Sequence, residues 1–322
     1  MTQRRLRTAL VAVGMAITLA LAGCSGNTDV SGGGSGDAAS GGSIAEDYDL
    51  KGAKLTVGSK EFTENRILGQ ITIAALQAAG ADVTDKTGIS GTDTVRAALD
   101  SGEIDMYWEY TGTGWVNILG NTSAQLPDDL YAAVSEADAA NGVTWIGPAE
   151  FNNTYAVAVK SDFAEENDLK TISDAAEYLA QNPDSKLCAA SEFINRDDGL
   201  PGLEAAYGMK FGGPVEVELN LIYTQLGESC DFGEVFATDA RIKSNDLVVL
   251  EDDKKFIVPY VGALTVKSDV ADEYPDINAM FTDIAGKLDD ETMIDLNGKV
   301  DLDGEKEADV AKAWLQENGY ID

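Results

Sequence analysis

Polar and aromatic side chains suited to ligand binding lie in four short segments, each at the carboxyl end of a predicted strand. Two of the segments carry cations, Lys60 and Arg196, and a third carries the hydroxyl of Thr113. Ligands bind at the carboxyl ends of strands in open parallel sheets. If two such sheets face each other, all four segments border one cleft. The segments are Gly58–Lys60, Glu109–Thr113, Glu192–Arg196 and Phe236–Asp239.

These side chains together favour a zwitterionic ligand. Two cations with Thr or Ser donors suit a carboxylate, because charge-assisted hydrogen bonds are the strong ones. Aromatic rings suit a quaternary ammonium, which has no N–H to donate and is held by cation–π contact worth about 0.5–2 kcal/mol per favourable ring. One alternative is that the tyrosines belong to the core or its rim. Another is that the two cations pair with neighbouring carboxylates such as Glu61 or Asp198.

The elements that must position these residues begin with a β-α-β-α-β pattern. Apolar residues at helical spacing define the first helix, and Thr63 and Thr92 are the candidate N-caps. Crossovers of this kind give a parallel sheet. The predicted elements are a strand at Lys54–Ser59, a helix from Thr63 to Gly80, a strand at Ala81–Ile89, a helix from Thr92 to Gly102 and a strand at Ile104–Tyr110.

A second β-α-β-α-β pattern follows and predicts a second α/β lobe. Two apolar runs bracket it, Ala156–Val159 and Val261–Val266, and they are the natural crossing strands between the lobes. A C-terminal amphipathic stretch around Val310 to Leu315 is expected to pack on the first lobe. The second pattern comprises strands at Lys186–Phe193, Val215–Leu219 and Phe232–Thr238 and helices at Leu203–Tyr207 and Leu221–Glu228.

Composition narrows the possible functions of these 322 residues. The formal net charge of −33 argues against a nucleic-acid partner, which needs a basic surface to meet phosphate. The chain has no His, which excludes Ser-His and Cys-His nucleophiles and every His-bearing metal site. No cofactor or metal site is predicted. Carboxylate-based catalysis remains open at this point, as does the absence of catalysis.

The N-terminus has the features of an export signal. Three Arg residues precede an apolar stretch from Thr8 to Ala22, which is too short to span a bilayer. The sequence Leu21-Ala22-Gly23-Cys24 resembles the lipobox of bacterial lipoproteins, in which the Cys is acylated; the alternative is an ordinary cleavable signal with an incidental Cys. The Gly/Ser-rich residues that follow are typical of a flexible tether. We therefore predict a signal peptide at residues 1–23 and a lipid-anchored tether at 24–50.

Several long motifs resemble a known family, the glycine betaine/carnitine/choline-binding lipoproteins of quaternary-amine ABC importers. The resemblance covers nearly all of the chain after the tether. It implies the type II periplasmic-binding-protein fold, with lobe I at residues 51–152 and 261–322, lobe II at 153–260, and one ligand cleft between them. The motifs include VGSKEFTENRILGQ (Val57 to Gln70), DMYWEYTGTG (Asp105 to Gly114), SEFINRDDGLPGLEAAYG (Ser191 to Gly208) and PYVGA (Pro259 to Ala263).

The resemblance also implies roles for seven residues. Phe236 stands where the family commonly has Tyr, so the π face is kept and the hydroxyl is lost. Thr113 is neutral and leaves room for a ligand carboxylate, which leans toward betaine-type ligands without excluding choline. The implied aromatic cage is Tyr110, Tyr155, Phe236 and Tyr260, and the implied carboxylate clamp is Lys60, Thr113 and Arg196.

Two further cysteines, Cys188 and Cys230, form an even pair in an exported chain, so that a disulfide is permitted by compartment. They lie at or just before the first and third strands of the second lobe, which commonly neighbour each other, and a bridge is geometrically reasonable. Such a bridge stabilises by about 2–4 kcal/mol. The alternative is two buried free thiols.

The function expected from the resemblance is capture of quaternary ammonium solutes, with glycine betaine as the first candidate and choline, carnitine and proline betaine as the others, and their delivery for osmoprotection. The expected partners are an ABC permease and, indirectly, its ATPase subunit, with the protein a monomer anchored by lipid to the outer face of the cytoplasmic membrane. No enzymatic activity is expected. The alternatives are a binding protein for another small amine or amino acid, an exported carboxylate hydrolase, and a sensory or adhesive lipoprotein.

Overall fold

A computed structural model describes residues 42–123 and 125–322. The predicted signal peptide, the lipidation residue Cys24 and the first part of the tether lie outside the described residues. Within the described ranges, none of the helices combines the length and apolar character that a membrane crossing needs. The strands are β1 (Lys54–Lys60), β2 (Asp82–Ile89), β3 (Met106–Tyr110), β4 (Val143–Ile146), β5 (Tyr155–Lys160), β6 (Leu187–Ala189), β7 (Pro214–Glu216), β8 (Phe232–Phe236), β9 (Leu247–Val249) and β10 (Gly262–Lys267).

Helices cover both sheets. After the third strand of the first sheet, β3, the chain forms a short helix and then a π-helical turn at Gly114–Ile118. The α-helices are α1 (Ser43–Asp47), α2 (Thr63–Ala78), α3 (Thr92–Ser101), α4 (Thr111–Thr113), α5 (Leu130–Ala139), α6 (Ser161–Glu166), α7 (Ile172–Gln181), α8 (Ser191–Asn195), α9 (Leu200–Tyr207), α10 (Leu219–Gln225), α11 (Arg241–Ser244), α12 (Ser268–Glu273), α13 (Asp276–Ala285), α14 (Asp290–Asp301) and α15 (Glu307–Glu317).

The strands form two five-stranded sheets, in the orders β2-β1-β3-β10-β4 and β7-β6-β8-β5-β9. We call the body around the first sheet lobe I and the body around the second lobe II. In each sheet the three strands of the β-α-β-α-β pattern are parallel, as predicted. The two predicted crossing strands are the fourth strands of the two sheets. In lobe I, β10 lies between β3 and β4, and in lobe II, β5 lies between β8 and β9. Each is antiparallel to both neighbours, so both sheets are mixed.

Some predicted boundaries are wrong in lobe II. The strand predicted at Lys186–Phe193 ends at Ala189, and Ser191–Asn195 is helical. The reason is a distant side chain, because a carboxylate oxygen of Glu234 accepts the backbone N–H of Ala190 at 2.8 Å just before the helix begins. The strand predicted at Val215–Leu219 is likewise Pro214–Glu216.

The predicted threonine caps are also wrong. Thr63 and Thr92 are the first helical residues of α2 and α3, and neither makes a side-chain cap hydrogen bond. Their hydroxyls bind side chains from other elements instead. Thr63 donates to Asp301 of α14 at 2.7 Å, and Thr92 is engaged at the cleft described below.

The folded body begins before the predicted end of the tether at residue 50. Ser43–Asp47 forms α1, and Ile44 and Leu50 are fully buried. The backbone N–H groups of Ser43 and Ile44 donate to carbonyls at the C-terminus, so this segment is tied to lobe I. Next to it, α15 packs on α2 with the predicted apolar face buried, as expected for a C-terminus that returns to lobe I.

Cys188 and Cys230 form the disulfide that the strand order favoured. Cys188 lies in β6, and Cys230 lies two residues before β8, which pairs with β6 in parallel. The two Cα atoms are 5.6 Å apart, a usual separation for a disulfide. The bridge therefore joins neighbouring strands of lobe II at the amino end of β8.

Candidate ligand-binding site

A cavity of about 490 Å³ opens between the two lobes at the carboxyl ends of their parallel strands. It is of the size that small-molecule sites usually have. The structure brings together every residue that the resemblance assigned to the cage and to the clamp. All seven of them line the cavity, namely Lys60, Tyr110, Thr113, Tyr155, Arg196, Phe236 and Tyr260.

Tyr155 is the centre of the aromatic wall. Its ring centroid lies 5.3 Å from that of Phe236 and 5.1 Å from that of Tyr260. Phe236 and Tyr155 are directly opposite each other in the β5–β8 ladder, which explains their contact. Phe193 supports Tyr155 from α8, with ring centroids 5.0 Å apart. The wall is therefore built from neighbouring strands of one sheet and from Tyr260, which comes from the segment that returns to lobe I.

Phe62 is a cavity residue that the sequence reasoning missed. Its ring lies 5.4 Å from Phe236 and 6.0 Å from Tyr110, and so it joins the aromatic groups of the two lobes. The available signal was its position, two residues after Lys60 in the loop that ends β1.

Lys60 is held by a buried carboxylate of the neighbouring strand. Its Nζ donates to Glu109 Oε1 at 2.7 Å and to Thr92 Oγ1 at 3.0 Å. Glu109 is the partner because β1 and β3 are adjacent and parallel, with Val57 opposite Met106, and the same register continued brings residue 60 level with residue 109. The sequence analysis gave Glu61 as the alternative partner of Lys60, and that expectation is wrong. Two of the three ammonium N–H groups of Lys60 are thus engaged by the protein.

Arg196 pairs with Asp198, as the sequence alternative proposed. Nε and Nη2 donate to the two oxygens of Asp198 at 2.8 and 2.7 Å. The remaining N–H groups reach Glu192 at 2.8 Å, Tyr260 Oη at 3.3 Å and Thr113 Oγ1 at 3.5 Å. All five guanidinium donors therefore have protein partners. Arg196 thereby positions Tyr260 of the cage and reaches across to lobe I.

A chain of hydrogen bonds joins the two cations across the cleft. Thr92 Oγ1 of lobe I accepts from Lys60 and donates to Glu192 Oε1 of lobe II at 2.7 Å, and Glu192 accepts from Arg196. Burial by itself raises the pKa of Glu192, but the charges of Lys60 and Arg196 and the Thr92 hydrogen bond outweigh burial and lower it. The anionic form of Glu192 therefore holds the lobes together.

A second buried carboxylate, Glu64 of α2, lies behind Tyr110 and joins several elements. It accepts from Tyr110 Oη at 2.9 Å and from Asn153 Nδ2 at 2.7 Å. Thr238, after β8, and Asn297 of α14 also donate to it. Burial raises the pKa of Glu64 to about 7, against the four hydrogen bonds, which lower it. The sequence reasoning missed this network because its members are far apart along the chain.

Charge at the cavity favours a cation. Lys60 and Arg196 are already neutralised by buried Glu109 and Asp198. Five carboxyl groups line the cavity, namely Glu61, Glu192, Glu216, Glu218 and Glu234. Burial raises the pKa of Glu234 to about 8, so the other four supply the negative charge at neutral pH. The acidic lining therefore provides an attractive field for a positive group.

Comparisons with known proteins agree with the geometry of the site. Residues 53–317 match the family model described as the substrate binding domain of ABC-type glycine betaine transport systems. The chain is 36% identical over 278 residues to the glycine-betaine-binding protein of Pseudomonas aeruginosa, which covers 83% of this chain and 89% of the relative. The structure of apo YehZ from Escherichia coli covers 83% of this chain and 99% of its own, with a TM-score of 0.62 and 30% identity.

A third relative carries the binding domain within a longer protein. It is named ergothioneine transport permease/ergothioneine binding protein EgtU of Helicobacter pylori, and it is 34% identical over 267 residues. The match covers 82% of this chain and 48% of the relative. The family resemblance and the two-lobed α/β fold predicted from the motifs are confirmed. The chain belongs to the family of substrate-binding domains of ABC-type glycine betaine transport systems.

Proposed function

We propose that this protein captures quaternary ammonium solutes such as glycine betaine in the interlobe cavity and delivers them to the permease of an ABC importer. The observation that carries the proposal is the aromatic wall centred on Tyr155, with Phe236 and Tyr260 within 5.3 Å of it, at a cavity lined by more acids than bases. A trimethylated ammonium gains from both features, because ring faces attract it at about 0.5–2 kcal/mol each and it needs no hydrogen-bond acceptor.

The carboxylate end of a betaine is assigned to Lys60 and Thr113. Lys60 has one ammonium N–H left after Glu109 and Thr92. The Thr113 hydroxyl accepts from Arg196, and its own proton meets no acceptor within residues 42–123 and 125–322. Arg196 completes the clamp by position, because it donates to Thr113 and holds Tyr260 in place while its other donors are engaged by carboxylates.

The cellular setting follows from the same role. The family consists of transport proteins, and binding proteins of importers work outside the cytoplasm. We place the lipid anchor on Cys24, with the body a monomer tethered at the outer face of the cytoplasmic membrane. The permease, with its ATPase subunit, is the partner that receives the solute, and osmoprotection is the physiological outcome.

The proposal is tested by calorimetric titration of the mature protein with glycine betaine, carnitine, choline and proline betaine. Ergothioneine, the betaine for which one relative is named, belongs in the panel because a cavity of about 490 Å³ has room for it. Proline and glycine serve as unmethylated controls. Saturable binding of at least one quaternary amine with no response to the controls is expected. Binding of an unmethylated amine alone, or of nothing in the panel, overturns the proposal.

A further inference from the structure

Glu234 is a carboxyl group in a position where the strand pattern requires an apolar side chain. It lies on β8 between Phe232 and Phe236, and alternate residues of a strand share one face. Phe232 is fully buried in the core, and Phe236 lines the cavity. Glu234 is only 1% exposed and also lines the cavity. It therefore lies at the floor of the cavity, two residues along β8 from Phe236 and deeper in lobe II than the ring of that residue.

Only one oxygen of this carboxyl group is used by the protein. Oε2 accepts the N–H of Ala190 at 2.8 Å. Oε1 is buried and has no hydrogen-bond partner among the described residues. A buried oxygen without a partner is costly to the fold, and the bond to Ala190 by itself needs only one acceptor oxygen, which an amide would also supply. The unpaired oxygen thus points to a group that arrives with the ligand.

The environment of Glu234 decides which ligand group suits it. Burial, followed by the charge of Glu192, raises the pKa of Glu234 to about 8, although Ala190 and Arg196 lower it. At neutral pH the carboxyl group is therefore mostly protonated and can donate. A hydroxyl group is the suitable partner, because it accepts from the protonated acid and donates to the ionised form.

Position supports the same partner. Residues two apart on a strand are separated by roughly 7 Å. Glu234 is therefore deeper in lobe II than the ring of Phe236 by a distance that a few covalent bonds of a ligand can span. An ammonium group against Tyr155 and Phe236 would place substituents on neighbouring carbons close to this floor.

We propose that Glu234 is a specificity-determining subsite that hydrogen-bonds a hydroxyl group carried a few bonds from the quaternary ammonium of the ligand. The ligand class is a hydroxylated quaternary amine. This inference rests on the proposed function, and it adds a selection among quaternary amines that the cage and the clamp do not make.

Two pairs of ligands that differ by one hydroxyl test the inference. They are carnitine against γ-butyrobetaine and choline against ethyltrimethylammonium, titrated calorimetrically at pH 7. The wild type is expected to bind the hydroxylated member about tenfold more tightly or better, as for a buried hydrogen bond gained. Binding of the pairs without a preference, or no binding by any of the four while glycine betaine binds, overturns the subsite alone. No binding by any of the four or by glycine betaine overturns the proposed function and the subsite with it.

Variants assign the preference to this side chain. Glu234→Met should reduce it to within about twofold while leaving the unhydroxylated ligands nearly unchanged. Glu234→Gln should keep it, because the amide oxygen can accept from Ala190 and the amide N–H can donate to the ligand. Glu216→Met, at an exposed carboxylate of the same cavity, is the matched control and should keep it as well. A preference that survives in Glu234→Met, or that is lost in a folded Glu234→Gln protein, overturns the proposal; the latter comparison stands even if the Met variant does not fold.

Discussion

Replacing Phe236 by Leu isolates the contribution of one π face to ligand binding. Phe236 has no hydroxyl, and its side chain is half-buried, so the substitution removes the ring and keeps an apolar surface of similar size. Its ring lies 5.3 Å from Tyr155 and 5.4 Å from Phe62, which exclude water from it on two sides. We therefore expect the upper part of the cation–π range, about 1–2 kcal/mol, or a five- to thirtyfold weaker Kd for glycine betaine.

The neutral isostere of the ligand supplies the internal comparison. In 3,3-dimethylbutanoate a carbon replaces the ammonium nitrogen of glycine betaine, so shape and carboxylate are kept and the positive charge is lost. Its affinity, measured by competition against glycine betaine in a calorimeter, should change by less than about twofold in Phe236→Leu, because the contact with it is apolar in both proteins.

The matched protein control is Phe163→Leu. Phe163 is also half-buried, but it packs against Tyr178 and Phe232 in lobe II and does not line the cavity. This variant should bind glycine betaine as the wild type does. Equal weakening of the charged and the neutral ligand by Phe236→Leu would refute the reasoning, because the ring would then act only through its area.

Three further predictions concern the lobes and their stability. Thr92→Val removes the interlobe hydrogen bond to Glu192 and should weaken ligand binding about tenfold or more in calorimetry, since hydrogen bonds to charged groups contribute about 1.5–3 kcal/mol; an unchanged affinity would show that this bond does not contribute to holding the two lobes around the ligand. Burial raises the pKa of Glu64 from 4.5 to about 7 on folding, so its contribution to stability is complete below pH 4.5 and is lost as the pH rises through about 7. In urea melts across this range, the stability of the wild type should fall relative to Glu64→Gln, and parallel curves would contradict the raised pKa. Replacing Cys188 and Cys230 together by Ser should lower the free energy of unfolding by about 4 kcal/mol, from the chain entropy of a 42-residue separation; a loss below about 1 kcal/mol in denaturant melts without reductant would contradict it.

Much of the fold could be predicted because it depends on local patterns. The apolar periodicity from Ile67 to Ala78 is enough to define α2, and it is observed as a helix at Thr63–Ala78. The prediction failed where a distant group decides the local conformation. Ser191–Asn195 is helical rather than extended, with Ala190 before it bound to a carboxylate 44 residues further along the chain.

The sequence by itself determined the family, the two α/β lobes and seven of the residues that line the cavity, because motif and strand-end position are properties of short segments. Only the tertiary structure decided which groups bind one another. Lys60 meets Glu109 rather than its neighbour Glu61, since strand register brings residues 49 apart into contact. The Thr92–Glu192 bridge, the four donors on Glu64 and the unpaired oxygen of Glu234 depend likewise on how two sheets approach each other. Hydrogen-bond partners are chosen by long-range packing, and no short segment of the chain encodes that packing alone.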